Sequence, residues 1–229
     1  MTPTELRVGG LTPLSSCDWP GELVATVFTQ GCPFDCPYCH NPHLLAADAG
    51  EAAWADVIAL LQARRGLLDG VVFSGGEPTV QPALGDAMRE VRALGFQVGL
   101  HTAGPLPERL EAVLPLVDWV GFDAKASFGE YERVTRVPGS GQRALASLRA
   151  LVASGVPYEV RTTVHPDLLD AVAVDRLAAE LAAEGVTAWA VQAYRPIGAR
   201  PGLAAVGLTE ADVPATARER FASFTFRCA

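Results

Sequence analysis

The sequence predicts an α/β protein built on a parallel sheet, and three observations carry that expectation. Short β-branched and apolar runs alternate six times with stretches of helical periodicity, a pattern that requires right-handed crossovers between parallel strands. Gly and Pro fall mostly at the turns between them. The chemically versatile side chains gather just after the strands, at the carboxyl edge where parallel α/β folds place their sites. Six β-then-α units either close partway into a barrel or lie as an open doubly wound sheet, and periodicity leaves both open.

The elements follow in order. Residues 23–29 read as a buried strand, and Trp54, Ile58 and Leu61 recur at helical spacing. Residues 71–73 form the next strand, and Leu84, Met88 and Val91 the next helix, with Pro82 near its start and Gly95 past its end. A strand at 98–100 precedes a short helix around Leu110, Val113 and Leu114. Residues 119–122 follow as a strand, and Leu145, Leu148 and Val152 carry a helix that Gly155 can close. Residues 158–164 make the fifth strand and Val174, Leu177 and Leu181 its helix; residues 188–192 make the sixth strand. Thr209 is placed to cap a final helix with Asp212 in its first turn, and Phe224 and Phe226 suggest a short closing strand or packed tail.

Composition narrows the class. The chain has 229 residues, 49% hydrophobic and 19% charged, enough for a buried core. A net charge of −8 argues against a broad nucleic-acid surface. No apolar run approaches the ~20 residues that span a bilayer, and the first residues lack a signal-peptide core. The expectation is a cytoplasmic protein without membrane or nucleic-acid partners, in which thiols stay reduced and clustered cysteines are metal ligands before they are disulfides.

Of five cysteines, Cys32, Cys36 and Cys39 stand together as C-x3-C-x2-C directly after the first strand. Cys17, read as a packing residue, and Cys228, read as a bystander, stand alone. Three close thiolates can hold three irons of a cubane and leave the fourth open to a substrate. The alternative is a zinc site with His40 as fourth ligand, which is strained because His40 adjoins Cys39. A second motif, Ser74-Gly75-Gly76-Glu77-Pro78-Thr79, follows the second strand. Its glycines permit close backbone approach to a ligand, and Glu77 offers an acceptor for an ammonium group.

C-x3-C-x2-C with Tyr38 before the last cysteine, followed one βα unit later by Gly75-Gly76-Glu77-Pro78, resembles the radical S-adenosylmethionine (SAM) superfamily. The resemblance implies a partial (β/α)6 TIM-like barrel as one domain over 1–229, with an N-terminal extension (1–22), a core (23–196) and a C-terminal helix and tail (197–229). It implies a [4Fe–4S] cluster on Cys32, Cys36 and Cys39, and SAM chelating the fourth iron through its methionine amino and carboxylate groups. Tyr38 would lie near the adenine, Gly75, Gly76, Glu77 and Pro78 at the amino group, and Arg161 at the carboxylate. Thr102 belongs to His101-Thr102-Ala103-Gly104, where related activating enzymes often carry Asp-Thr-Asn-Gly. Asp123 and Lys125 resemble the family's Asp-x-Lys and would face the SAM pocket or a partner's loop, or else form a plain ion pair. Arg161 lies within a strand, where a buried charge needs a partner. His165, Tyr194 and Arg195 also lie at strand ends, without an assigned role.

The segments Gly10–Ser15, Asp18-Trp19-Pro20-Gly21, Val27–Cys32 and His40-Asn41-Pro42 resemble the activating proteins of anaerobic ribonucleoside-triphosphate reductases. The implied chemistry is reductive cleavage of SAM to methionine and a 5′-deoxyadenosyl radical, which takes hydrogen from a glycine of the reductase and leaves a glycyl radical. The electron would come from a donor such as flavodoxin or ferredoxin. The alternatives are activation of another glycyl-radical enzyme such as pyruvate formate-lyase, a radical SAM enzyme acting on a small molecule such as a deazapurine synthase, and a non-enzymatic iron–sulfur carrier, which would need four cysteines.

Overall fold

The six sequence-predicted strands are present: four run longer than expected, the fifth has the expected bounds, and the first begins one residue later. The computed structural model describes residues 2–228. Its strands are β1 (Val8–Ser15), β2 (Val24–Thr29), β3 (Gly70–Gly75), β4 (Gln97–Thr102), β5 (Trp119–Asp123), β6 (Tyr158–Val164), β7 (Ala188–Ala193) and β8 (Ser223–Arg227). Its helices are α1 (Trp54–Ala63), α2 (Leu84–Ala93), α3 (Pro107–Val113), α4 (Tyr131–Thr135), α5 (Ser140–Ser154), α6 (Ala171–Ala183) and α7 (Ala215–Arg218). The chain divides into two units. One holds the chain up to Pro33, then His43–Thr102 and Glu108–Gly121; the other holds Phe34–Pro42, Ala103–Pro107 and the chain from Phe122 onward.

In the first unit β2, β3 and β4 run parallel in register, Val24 opposite Gly70 and Val72 opposite Gly99. Within residues 1–22, β1 pairs antiparallel with β2, with register shifts at both ends. Gly9, Gly10 and Pro13 hide this strand from a propensity reading. Trp19, Val24, Val72 and Trp119 form a buried cluster. The two indole rings stack at 5.5 Å. A side chain at Gly99 would collide with the Trp19 ring, so the missing Cβ in β4 makes room for the tryptophan. The Asp18 carboxylate accepts from the Thr26 hydroxyl at 2.6 Å, and its carbonyl bonds His101 Nε2 at 2.7 Å. Helix α2 buries Leu84, Ala87, Met88 and Val91, one face at helical spacing.

In the second unit β6, β7 and β8 run parallel, with Val160 opposite Trp189 and Trp189 opposite Phe224. The closing strand expected from Phe224 and Phe226 is therefore real. Asp170 caps α6, accepting from Ala173 N at 2.8 Å, a contact worth about 1 kcal/mol. Gly155 ends α5 at φ 73°, the left-handed conformation that glycine adopts without a Cβ penalty. Two expectations change. The segment after Thr209 makes a single 3-10 turn, Glu210–Asp212, in which Asp212 accepts from the Thr209 amide and hydroxyl at 2.8 Å each, and only then the short α7. Cys17 is exposed, not packed, because its neighbours Ser15 and Trp19 take the buried positions. Helix α4 was not foreseen; five residues are too few for a periodic signal. Among the described residues no helix is long and apolar enough to cross a membrane.

Candidate functional site

The glycine-rich motif and Cys32 belong to the first unit, and Cys36 and Cys39 to the second. In the first, β2 runs into Gln30 and Gly31, whose φ of 98° turns the chain out of the sheet. Gln30 is buried, and its side-chain amide donates to the carbonyls of His43 and Ala46 at 3.1 and 2.8 Å. Gly31 N donates to Leu44 O at 2.8 Å and Cys32 N to Leu45 O at 3.1 Å. The root of the cysteine loop is thus fastened to the segment that returns from it.

The Gly75-Gly76-Glu77-Pro78 turn lies on that root. Gly76 N donates to Thr29 O and Glu77 N to Gly31 O, both at 2.9 Å. Gly75 has φ 112°, and a Cβ there would strike the backbone of Phe28 and Thr29; one on Gly76 would strike the carbonyls of Gly31 and Leu44. These glycines were expected to admit a ligand, and the structure gives them a further duty, close approach of two backbone segments. Glu77 is 2% exposed. Its Oε1 accepts from Thr79 N at 3.1 Å and from the hydroxyls of Thr79 and Thr102 at 2.7 Å each. Thr102 therefore positions Glu77. Gln81, also buried, bonds the Gln30 carbonyl through its amide, and Arg109 Nη1 donates to Val80 O at 2.8 Å. His101 bonds Asp18 O and, at 3.1 Å, the Ser74 hydroxyl, contacts that fasten the Asp18-Trp19 segment.

In the second unit, Cys39 N donates to Cys36 O at 3.1 Å, closing the turn that carries both thiols. Cys36 is buried, and burial pushes its thiol up, with Lys125 pulling the other way and Cys39 adding to the rise. Metal binding needs thiolates, so a bound cation would offset that cost. Tyr38 is 3% exposed and its hydroxyl has no hydrogen-bond partner among the described residues. The Lys125 ammonium lies 5.5 Å from the Tyr38 ring centroid and 3.0 Å from Asp123 Oδ2. Burial is the largest influence on Lys125 and opposes its charge, but Asp123, Tyr38 and Cys36 together hold the ammonium well above its ordinary range. Tyr131, whose hydroxyl donates to Asp123 O at 3.1 Å and accepts from Lys125 N at 3.0 Å, ties this pair in place. Asp123 and Lys125 are thus an ion pair, set against the Tyr38 ring.

Arg161, 6% exposed, has the partner that a buried charge demands: its Nε lies 3.0 Å from Glu159 Oε1, and Arg227 holds the same carboxylate at 2.8 Å. His165 is an ordinary buried histidine. Its Nδ1 accepts from Asp167 N at 3.2 Å, so Nε2 carries the proton toward Ala204 O at 3.0 Å. His40 Nε2 faces the Arg195 carbonyl at 2.8 Å, which directs that nitrogen away from service as a fourth metal ligand. Tyr194 lies between the two histidine rings, at 6.0 Å from His40 and 5.2 Å from His165.

Within one unit, then, Gly75, Gly76, Glu77, Pro78 and Thr102 come together with the root of the Cys32 loop. Within the other, Cys36, Tyr38, Cys39, Asp123 and Lys125 belong to one constellation. The sequence reading missed Gln30, Gln81 and Asp35. Gln30 stands directly before Gly31-Cys32 and was open to notice; Asp35 was not, because its partners lie about a hundred residues and more along the chain.

Residues 26–177 match the Radical SAM superfamily. The chain belongs to the radical SAM superfamily. That family uses a [4Fe–4S] cluster and SAM. A protein of Methanocaldococcus jannaschii, provisionally described as a glycyl-radical enzyme activating enzyme, is 30% identical over 82% of this chain and 80% of its own. The pyruvate formate-lyase-activating enzyme of Clostridium pasteurianum is 31% identical over 72% of this chain and 71% of its own. Within the superfamily the chain therefore belongs with the activating group. A PqqA peptide cyclase of Gluconobacter oxydans is 36% identical over 64% of this chain, which spans only 42% of the cyclase. Among solved structures, a radical SAM methyltransferase from Sphaerobacter thermophilus superposes with a TM-score of 0.67 at 17% identity, covering 92% of this chain and 67% of that one. Streptococcus suis SuiB bound to S-adenosylmethionine superposes at 0.66 and 14% identity, covering 87% of this chain and 48% of SuiB. These share the α/β fold with a mostly parallel sheet.

The residues present fit the family's cofactors. The fit is one of donor chemistry: three free thiols stand close together in sequence, the buried Tyr38 hydroxyl has no partner among the described residues, and the Glu77 carboxylate is held by three donors on a single oxygen; among the described residues no three Cys, His, Asp or Glu side chains are already gathered as a metal-holding group.

Proposed function

We propose that this protein installs a glycyl radical on an anaerobic ribonucleoside-triphosphate reductase. The observation that carries the reading is the match to activating enzymes over most of both chains. The reductase is favoured over other glycyl-radical enzymes by Asp18-Trp19-Pro20-Gly21 and His40-Asn41-Pro42. We take the whole chain as one radical SAM domain working in the cytoplasm, with flavodoxin or ferredoxin as electron donor. When bound, the cluster and SAM supply one-electron, hydrogen-abstracting chemistry. Cys32, Cys36 and Cys39 would hold the cluster as thiolates.

Glu77 would accept the SAM ammonium, with Thr79 and Thr102 fixing its carboxylate; Gly75, Gly76 and Pro78 shape the turn that presents it. Arg161 would meet the carboxylate of SAM. Tyr38, backed by Lys125 and Asp123, would pack at the adenine and keep water out.

The test mixes reduced protein, SAM and each candidate partner from the same organism. Electron paramagnetic resonance should show a doublet-split glycyl radical on the reductase, absent when the partner's radical glycine is replaced by alanine. A signal only on a formate-lyase or another glycyl-radical enzyme overturns the choice of partner. Conversion of a small molecule or a peptide, with no radical on any protein partner, overturns the activase reading.

A further inference from the structure

The cysteine loop contains an acidic residue whose partners lie far along the chain. Asp35 precedes Cys36. Its Oδ2 lies 3.0 Å from Arg136 Nη1 and its Oδ1 2.5 Å from Arg200 Nη1. The two guanidiniums hold the Asp35 carboxyl below the usual carboxylate range, Arg200 more strongly than Arg136.

The backbone repeats the connection on both sides. Asp35 N donates to Thr135 O at 2.9 Å, and Arg200 N donates to Cys39 O at 2.8 Å. Arg136 is the one non-glycine residue with positive φ among the described residues, at 59°, a conformation that a residue with a Cβ adopts only under constraint. That turn ends α4 and aims the Arg136 guanidinium at Asp35.

We propose that Asp35 is a positioning residue: it draws Arg136 and Arg200 together and so holds the Cys36–Cys39 turn ready to receive metal before any metal binds. The proposal rests on the cysteines' being the cluster ligands, as above. An exposed pair of this kind, taken alone, adds little. Here one carboxylate serves two arginines whose main chains are already fixed, so the entropy of ordering is shared across the network. Asp35 also offsets one of the two arginine charges that it joins to the cysteine loop. Its removal and the removal of the arginines therefore act oppositely on the charge near the cluster while loosening the same loop.

The variants are D35N and the double variant R136Q/R200Q. In metal-free protein, amide hydrogen exchange over residues 34–42 should quicken at least tenfold in both, while α5 keeps its wild-type rate. In cluster-loaded protein, iron loss to a chelator should quicken by a similar factor. The midpoint potential should rise in D35N and fall in R136Q/R200Q, a divergence that mere loosening would not produce. Unchanged exchange over 34–42 in D35N, or a shift of potential in the same direction in both variants, overturns the proposal. Should either variant fail to fold, R136Q alone gives the same reading, since that side chain is half exposed. Failure of the wild-type chain to take up iron would sink the proposed function, while the metal-free exchange still reads the clamp.

Discussion

The Glu77 amide donates to the Gly31 carbonyl at 2.9 Å, one residue before Cys32. The acceptor motif and the root of the cysteine loop are one hydrogen-bonded assembly in the first unit. Loss of a cysteine and loss of Glu77 should therefore be separable by what they bind.

Anaerobically reconstituted protein should carry about four irons and four sulfides per chain. Cys32→Ala, Cys36→Ala and Cys39→Ala should each remove the intact cluster, and Cys17→Ala and Cys228→Ala, at exposed positions, should leave it. Iron and sulfide analysis with absorbance spectra reads the outcome. Stoichiometric zinc in place of iron would contradict it.

Glu77→Gln keeps the shape of the side chain and removes its charge. It should retain iron and weaken SAM binding roughly ten- to hundredfold, the value of one charge-assisted hydrogen bond at ~1.5–3 kcal/mol. Equilibrium binding checks the affinity. Glu77→Ala should in addition lower thermal stability, since the Thr79 and Thr102 hydroxyls lose their acceptor.

Gly76→Ala places a methyl against the Gly31 and Leu44 carbonyls. It should destabilise by about 1–3 kcal/mol, as overpacking does, and slow iron uptake, because the displaced groups are the root of the cysteine loop. Gly66→Ala, where a Cβ meets open space but φ is 75°, should cost stability and leave iron uptake unchanged. Denaturant melts and uptake kinetics separate the two effects.

The Arg149 guanidinium grips Glu184 bidentately, both contacts 2.7 Å, and holds its carboxyl below the ordinary range. A depressed carboxyl contributes stability that is present above its unfolded value and is lost as pH falls through the folded one. The difference in thermal midpoint between wild type and Glu184→Gln should be present at neutral pH and vanish on acidification. A difference that grows with acid would contradict the assignment.

Much of this protein is legible in its sequence because the signals are local. Apolar periodicity located six of the strands and their major helices, since burial of one face is dictated by adjacent residues. Cys32, Cys36 and Cys39 needed no fold to be noticed as a set, nor did Gly75-Gly76-Glu77-Pro78. Strand β1 escaped because Gly9, Gly10 and Pro13 weaken its propensity, and only pairing with β2 makes it a strand. Only the tertiary structure decided what holds the motifs: that Gly76 is bare so that Gly31 and Leu44 can approach, that Thr102 serves Glu77, and that Asp35 is claimed by Arg136 and Arg200. Such contacts join residues distant in sequence, so no spacing or periodicity encodes them, and each exists only once packing has brought its partners within hydrogen-bonding distance.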